Sequence, residues 1–123
     1  MREIKFQLWD EIRKQMWTWE QLIALESNTG RKQFLYQAIV GPPKKRILRI
    51  YTGLKDCNGK EIYEGDIIQF DGYVKAIVYV EYHDKLGVYQ AKNSNSRWLL
   101  AKESGIYQKV IGNIYENPEL LGV

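Results

Sequence analysis

Carboxylates crowd one short stretch of the sequence, in which Glu61, Glu64 and Asp66 follow one another closely. Two carboxylates held near each other around a turn can share acid and base work, as in many hydrolases. An aspartate that follows a glycine is equally suited to accept backbone N–H bonds and so to cap a turn. The Gly65-Asp66 step favours capping, so we expect a structural role for these acids and rank a hydrolase last among the functions.

Cysteine and histidine each occur once, as Cys57 and His83. A thiolate nucleophile needs a base beside it, and nothing in the spacing of these two residues pairs them. Asp56 and Asn58 resemble the start of a calcium loop, but Lys60 occupies the position of the next oxygen ligand. We therefore expect no catalytic residue, no metal site and no cofactor, and we predict that the protein is not an enzyme.

Two places in the sequence carry basic residues that could bind a partner, and one of them adds an aromatic ring. Arg97 and Trp98 place a guanidinium beside a stacking ring, and a basic cluster follows a Pro-Pro pair. That cluster consists of Lys44, Lys45, Arg46 and Arg49. Neutralised phosphates and stacked bases hold single-stranded nucleic acid in this manner. These side chains are the candidate nucleic-acid or partner-binding residues, although solvated loops and a packed tryptophan are the commoner origin of such a pattern.

Composition limits the classes of protein that remain. A chain of 123 residues corresponds to one domain, and a formal charge of +3 from mixed charges does not indicate a dedicated nucleic-acid binder. The aromatic content of four Trp, nine Tyr and three Phe is high for a small domain. Because one small core hardly absorbs so many rings, we predict a homo-oligomer.

The compartment follows from what the sequence lacks. A single cysteine allows no intramolecular disulfide, which fits a reducing compartment. The charged N-terminus is followed by no apolar run, and the longest apolar run, residues 76–80, is far too short to cross a bilayer. We expect a cytoplasmic protein with no membrane contact.

The first part of the chain predicts strands with one ambiguous segment. Residues 3–9 alternate between apolar and polar side chains, as a strand does. Residues 11–25 fit either a helix, with apolar side chains at spacings of three and four, or a strand, because aromatic and β-branched residues cluster at 16–19. A second hairpin is predicted from strands at 22–25 and 34–40 around a turn at 27–30, followed by a break at 41–43 and a strand at 47–51.

The second part predicts a series of short strands. Asn58-Gly59 is a strong turn signal, because both residues accept the left-handed conformation. Beyond it, polar turns separate five strands. They are residues 67–70, 74–82, 87–91, 97–101 and 110–114. Five short strands with polar turns predict a small barrel of SH3-like type, closed at its end by Asn117-Pro118.

Three blocks of sequence resemble one family. They are the segment from Tyr51 to Ile68, Arg2-Glu3-Ile4-Lys5-Phe6 with Trp9-Asp10, and Val110 to Leu120. Together they resemble the YopX family of small proteins encoded by bacteriophages and prophages, whose biochemical role is not established. In YopX-like sequences a short polar turn and a second strand follow the Trp-Asp block. The resemblance therefore favours a hairpin with its turn around residues 10–14.

The sequence thus predicts a single, mainly β domain over residues 1–123. It has an N-terminal hairpin region up to about residue 50 and an SH3-like, barrel-like half at 51–123. The predicted function is a non-enzymatic binding or adaptor protein of phage or prophage origin, which contacts a host or phage protein in the bacterial cytoplasm. The alternative is a nucleic-acid-binding accessory protein that uses the basic and aromatic residues above, with weak binding expected.

Overall fold

The computed structural model describes residues 3–28, 46–71, 75–95, 97–100 and 108–122. Within these segments the chain is mainly β, as predicted, with two antiparallel sheets and one α-helix. Two compact units are present, one formed by Ile4–Ile50 and the other by Met1–Glu3 with Tyr51–Val123. We call them the first and second units. Among the described residues, no helix combines the length and the apolar character needed to cross a membrane.

The first unit begins with the hairpin that the resemblance favours. Strand β1 (Phe6–Asp10) pairs antiparallel with β2 (Gln15–Trp17), and Trp9 lies opposite Met16. The Asp10 carboxylate accepts the N–H groups of Ile12 and Arg13, each at 3.1 Å, and so organises the turn. The predicted turn at residues 10–14 is therefore confirmed, and its cause is an aspartate cap.

A helix follows where we predicted a strand at residues 22–25. Helix α1 (Trp19–Asn28) begins with a capping box, in which Thr18 Oγ1 accepts the N–H of Gln21 and Gln21 Oε1 accepts the N–H of Thr18, at 3.2 and 2.9 Å. Leu22 is 1% exposed and packs with Leu8 in a small core. The strand prediction was wrong because it ignored this cap, and residues 27 and 28 of the predicted turn continue the helix. The predicted partner strand at 34–40 and the break at 41–43 lie outside the described residues.

Strand β3 (Arg46–Lys55) is longer than the predicted strand at 47–51 and belongs to both units. Its first half pairs with β1, where Leu48 lies opposite Leu8. In its second half, Tyr51 lies opposite Tyr63 of the short strand β4 (Glu61–Tyr63), which sequence analysis did not predict. The ladder shifts register between residues 51 and 55, where Gly53 adopts a φ of 87°.

The five strands predicted for the second part of the chain are all present. They are β5 (Asp66–Asp71), β6 (Lys75–His83), β7 (Val88–Lys92), β8 (Arg97–Leu99) and β9 (Gln108–Asn113). They form one sheet in the order β8-β7-β6-β5-β9, which curls into a half-barrel. Four strands run as a meander and the fifth returns to pair with the first. The predicted barrel-like part of the chain is therefore a curled half-barrel of five strands.

Alternation along these strands builds the core of the second unit. Val78 and Val80 of β6 are 0% and 1% exposed. Ile77, which precedes Val78 on the same strand, lies on the opposite face and is 40% exposed. The buried cluster comprises Ile62, Ile68, Val78, Val80, Ala91, Leu100 and Val110. Because side chains alternate with period two, Tyr82 continues the face of Val80 beyond the end of this cluster.

Candidate functional site

A cleft of ≈ 460 Å³ opens in the second unit. We call it the tyrosine cleft, because three tyrosines contribute to its wall. The described residues that line it are Glu3, Tyr51, Thr52, Gly53, Tyr82, Gly87 and Tyr89. Strand β3, the β6–β7 hairpin and the segment before β1 thus each supply part of it.

The β6–β7 hairpin positions one wall of the tyrosine cleft. Tyr82 lies directly opposite Tyr89 in the antiparallel register, and the two rings meet edge to face with centroids 5.3 Å apart at 66°. The hairpin turns through residues 84–87, where the N–H of Gly87 donates to the His83 carbonyl at 2.8 Å and Gly87 has a φ of 67°. The sheet ladder therefore places the two rings next to each other on one face of the hairpin.

Strand β3 supplies the part of the cleft lined by Tyr51, Thr52 and Gly53. Tyr51 is 5% exposed and lies against the Tyr63 ring, with centroids 5.5 Å apart. Thr52 Oγ1 donates to the Ile62 carbonyl at 2.7 Å and accepts the N–H of Leu54 at 3.2 Å. A Cβ placed on Gly53 would meet nothing within 4 Å. These contacts hold the backbone in place while the glycine leaves space open.

The described lining of the cleft contains one carboxylate, and a tyrosine of the lining binds another. Glu3 is the one residue with a formal charge among the described lining residues, whereas the chain carries +3. The Tyr89 hydroxyl donates to Oε1 of Glu64 at 3.3 Å, and Glu64 is not one of the lining residues given above. A phenol that donates to a carboxylate is polarised towards the ring, so its π-face becomes more attractive to a cation.

Asp56 links the turn before β4 to strand β9. Its Oδ1 accepts the N–H groups of Asn58 and Lys60 at 2.8 and 2.9 Å, and its Oδ2 accepts the N–H of Val110 at 3.0 Å. Burial acts to raise the pKa of Asp56, but the three N–H donors and the Lys60 charge outweigh it and hold the pKa below its usual value. Both oxygens thus bind backbone amides, which explains why the calcium-like spacing builds a turn.

Glu61, Glu64 and Asp66 contact tyrosines and backbone. Asp66 Oδ2 accepts the N–H of Tyr63 at 2.8 Å, which is the capping contact that we expected. Glu61 accepts the Tyr63 hydroxyl at 3.2 Å, and Glu64 accepts that of Tyr89. The carboxylates of Glu61 and Asp66 therefore bind groups of Tyr63 in the turn, and the carboxylate of Glu64 binds a tyrosine of the cleft wall.

The cysteine and the histidine lie at separate turns of the second unit. Cys57 is exposed in the turn after β3, and its backbone N–H donates to the Gln108 carbonyl at 2.9 Å. His83 Nδ1 accepts the N–H of Leu86 at 3.2 Å in the β6–β7 hairpin. Over the described segments, no group of three or more His, Cys, Asp or Glu side chains is arranged to hold a metal ion.

The predicted nucleic-acid residues are divided between the two units. Arg97 is exposed on β8, but its neighbour Trp98 is partly buried against the core and against Phe70, with ring centroids 5.3 Å apart. In the first unit Arg46 is exposed, whereas Arg49 is 5% exposed and its Nε donates to Gln7 at 2.9 Å. Lys44 and Lys45 lie outside the described residues. A binding role for this set stays a prediction.

Sequence analysis did not single out the tyrosines of the cleft. A usable signal was present, because Val78, Val80 and Tyr82 alternate on one face and Tyr89 and Ala91 do so on the facing strand. Two aromatic residues beyond the last buried position of this face indicate that the apolar surface extends past the core. The contribution of residues 51–53 depends on tertiary structure and had no local signal.

Comparison with known proteins agrees with this architecture. The family model for YopX protein matches residues 5–122. The chain belongs to the YopX family. No curated protein matches it.

Two solved structures share the YopX-family fold of this chain. Protein EF1440 from Enterococcus faecalis is 25% identical, with a TM-score of 0.69 over 98% of this chain and 99% of that one. Protein yopX from Bacillus subtilis is 22% identical, with a TM-score of 0.56 over 98% and 99% of the two chains. Both chains align over nearly their whole length, so the likeness concerns the complete fold.

Proposed function

We propose that this chain is a non-enzymatic binding protein of phage or prophage origin that holds a segment of a protein partner in its tyrosine cleft. The observation that carries the proposal is the cleft itself, which is lined by the paired rings of Tyr82 and Tyr89 and by residues 51–53 of strand β3. The partner is a host or phage protein in the bacterial cytoplasm. Phage origin rests on what the family resemblance implies, and the compartment rests on the single cysteine, which fits a reducing environment.

The size and lining of the cleft support binding of a few side chains. Its volume of ≈ 460 Å³ falls within the range of roughly 300–1,000 Å³ typical of ligand sites. Tyrosine supplies a large contact area and a polar hydroxyl at low cost in conformational entropy, and it is enriched in protein interfaces. The hydrogen bonds of Thr52 and Tyr89 stiffen the wall before any partner arrives.

Tyr82 gives the sharpest test of this function, because it is 42% exposed and contributes little to the core. We expect a selection of random 12-residue peptides on the purified protein to enrich binders whose affinity falls about five- to thirtyfold in Tyr82→Leu. A ring that contributes about 1–2 kcal/mol at an interface corresponds to that factor. Isothermal titration of the enriched peptides measures it.

Tyr79 provides the matched control, since it lies on the same strand but on the opposite face, where its hydroxyl donates to Glu81 at 3.3 Å. Tyr79→Leu should bind the enriched peptides as the wild type does. Failure to enrich any peptide, or equal binding by wild type and Tyr82→Leu, would contradict the proposed function.

We also propose that the protein self-associates, and we add exposed aliphatic side chains to the aromatic content on which the sequence prediction rested. Tyr82 is the one aromatic side chain among the exposed large hydrophobic residues of the described segments. The other exposed large hydrophobic residues of these segments are aliphatic. They are Ile4, Ile12, Ile23, Ile47, Ile77, Leu86 and Leu99. Burial of such side chains between copies would stabilise an oligomer.

Light scattering at micromolar concentration should therefore report a mass above the 14.5 kDa of one chain. Ile12 is 62% exposed, and a charge there should oppose its burial between copies. Ile12→Lys should therefore move the mass towards that of one chain. A wild-type mass that stays at one chain as the concentration rises would rule out self-association.

A further inference from the structure

We propose that two copies of this chain pair through strand β8, with each β8 running antiparallel to the β8 of the other copy. This proposal rests on the self-association proposed above and adds the surface that carries it. Three features support the pairing: the place of β8 in its sheet, the contacts at the opposite edge of that sheet, and the order of side chains along the strand.

One side of the β8 backbone has no neighbouring strand. β8 ends the order β8-β7-β6-β5-β9, and within the described segments no strand lies beyond it. The N–H of Leu100, just after β8, donates to the Tyr89 carbonyl of β7 at 3.0 Å. Successive residues of an antiparallel strand point their backbone groups alternately towards and away from the neighbouring strand. The N–H and C=O groups of Leu99 and Arg97 therefore point away from β7.

This edge of the sheet is accessible to solvent. Leu99 is 59% exposed, and Arg97 is exposed as well. Trp98 between them lies on the other face of the sheet and packs against the core. β8 contains no proline, which would remove a backbone donor. An accessible edge of this kind can pair with another strand, and the exposed leucine adds apolar area to bury.

The opposite edge of the sheet is occupied, and this determines the kind of assembly. On β9, the N–H of Val110 donates to Asp56 Oδ2 at 3.0 Å, and the Gln108 carbonyl accepts the N–H of Cys57 at 2.9 Å. The turn after β3 thus takes the place that a further strand would need. Pairing of β8 with β9 of another copy would give an open chain of molecules, whereas pairing of β8 with β8 joins two copies and stops.

The order of residues in β8 suits pairing with itself. With a two-fold axis at Trp98, Arg97 of one copy lies opposite Leu99 of the other, and each such pair exchanges both of its backbone hydrogen bonds. The aliphatic part of the arginine then covers the leucine, while its charged end stays in water. A shift that sets Arg97 opposite Arg97 of the other copy would place like charges together, which is destabilising. The charge of Arg97 therefore selects one register.

Charge substitutions on β8 test both the surface and the register. Leu99→Lys sets a lysine opposite Arg97 of the other copy, and the two-fold axis repeats this repulsion. We expect the dissociation constant of the wild-type assembly to rise at least about fivefold in this variant. Combining Leu99→Lys with Arg97→Glu converts both repulsions into ion pairs. The double variant should return the dissociation constant to within about threefold of the wild type. Sedimentation equilibrium measures all three constants.

Ile77→Lys is the matched control for the added charge. Ile77 is 40% exposed on β6, which lies inside the sheet and has a neighbouring strand on each side. Its dissociation constant should stay within about twofold of the wild type, because the substitution adds the same charge away from the β8 edge.

Amide hydrogen exchange tests the backbone pairing in the wild type itself. The amide protons of Arg97 and Leu99 should exchange at least about threefold more slowly in concentrated than in dilute solution, because pairing gives them acceptors. The amide proton of Trp98 points towards β7 and should show no such dependence. Nuclear magnetic resonance follows the three protons separately.

The failure of edge pairing can be told from the failure of self-association. A wild type that associates, while Leu99→Lys keeps the same dissociation constant, would overturn the edge pairing and leave self-association in place. Concentration-independent exchange at Arg97 and Leu99, or a double variant as weak as Leu99→Lys, would also overturn the pairing described here. If the wild type stays at one chain as its concentration rises, both proposals fail.

Discussion

Asp56→Ala should lower the free energy of unfolding by about 2–5 kcal/mol, because it removes the acceptor of three backbone N–H groups, of which one is buried and two are partly buried. Those donors belong to Asn58, Lys60 and Val110, and Asp56 itself is 7% exposed. Two of the donors shape the turn before β4 and the third belongs to β9. Urea denaturation followed by tryptophan fluorescence measures the loss, and a change below about 1 kcal/mol would contradict this assignment.

Asp56→Asn isolates the charge, since the amide keeps one acceptor oxygen. Near neutral pH we expect a loss of about 1–3 kcal/mol relative to wild type. The pKa of Asp56 lies lower in the folded chain than the value near 3.9 of an unfolded one. The stabilisation is therefore complete above about pH 5 and disappears as the pH falls through the folded pKa. The difference in free energy of unfolding between wild type and Asp56→Asn should therefore become smaller towards low pH. A difference that grows as the pH falls would contradict a lowered pKa of Asp56.

Gly65→Val should cost about 2–5 kcal/mol, because it combines backbone strain with a steric clash. Gly65 has a φ of 83°, and a Cβ there would lie 2.9 Å from Cε2 of Tyr115. The residue also joins strands, since its N–H donates to the Val80 carbonyl and its carbonyl accepts the N–H of Ile114, each at 2.9 Å. The valine must therefore displace the Tyr115 ring or break this connection.

Gly59→Val is the matched control for the clash. Gly59 has a φ of 80°, but a Cβ there would meet nothing within 4 Å. Gly59→Val should therefore lower the free energy of unfolding only by the cost of backbone strain, about 1–3 kcal/mol. Adding Tyr115→Ala should recover part of the loss in Gly65→Val and none of that in Gly59→Val. Equal losses in the two valine variants would show that the contact with Tyr115 carries no energy.

The strands of the second unit were predictable because their signals are local. Alternation at Val78 and Val80, with glycine or polar residues at the turns, identifies each strand without knowledge of its partner. The short strand β4 was missed because its three residues follow the Asn58-Gly59 turn, and they are recognisable as a strand only through their pairing with β3.

Helix α1 shows how a local signal can be overlooked. The sequence from Thr18 to Gln21 contains a capping box followed by an apolar stretch, which marks a helix start. The prediction did not weigh this cap, and the family resemblance decided for a second strand, which Gln15–Trp17 does form as β2. Both structures proposed for this segment are thus present, one after the other.

The candidate site was less accessible to sequence analysis than the fold. The basic and aromatic pattern drew attention to Arg49 and Trp98, which the structure buries wholly or in part. The tyrosine cleft instead joins residue 3, residues 51–53 and residues 82–89. Only the register of β6 with β7 and the course of β3 bring these distant residues together, and no local pattern encodes either.

The position of β9 in the sheet has a consequence for synthesis on the ribosome. Strand β5 carries the apolar residues Ile67, Ile68 and Phe70, and it pairs with β6 on one edge and with β9 on the other. The β6 edge is covered early, but the second edge waits until residues 108–113 emerge, at roughly 5–20 residues per second. For several seconds each nascent chain exposes an apolar strand with an open edge, which is a template for pairing between neighbouring chains.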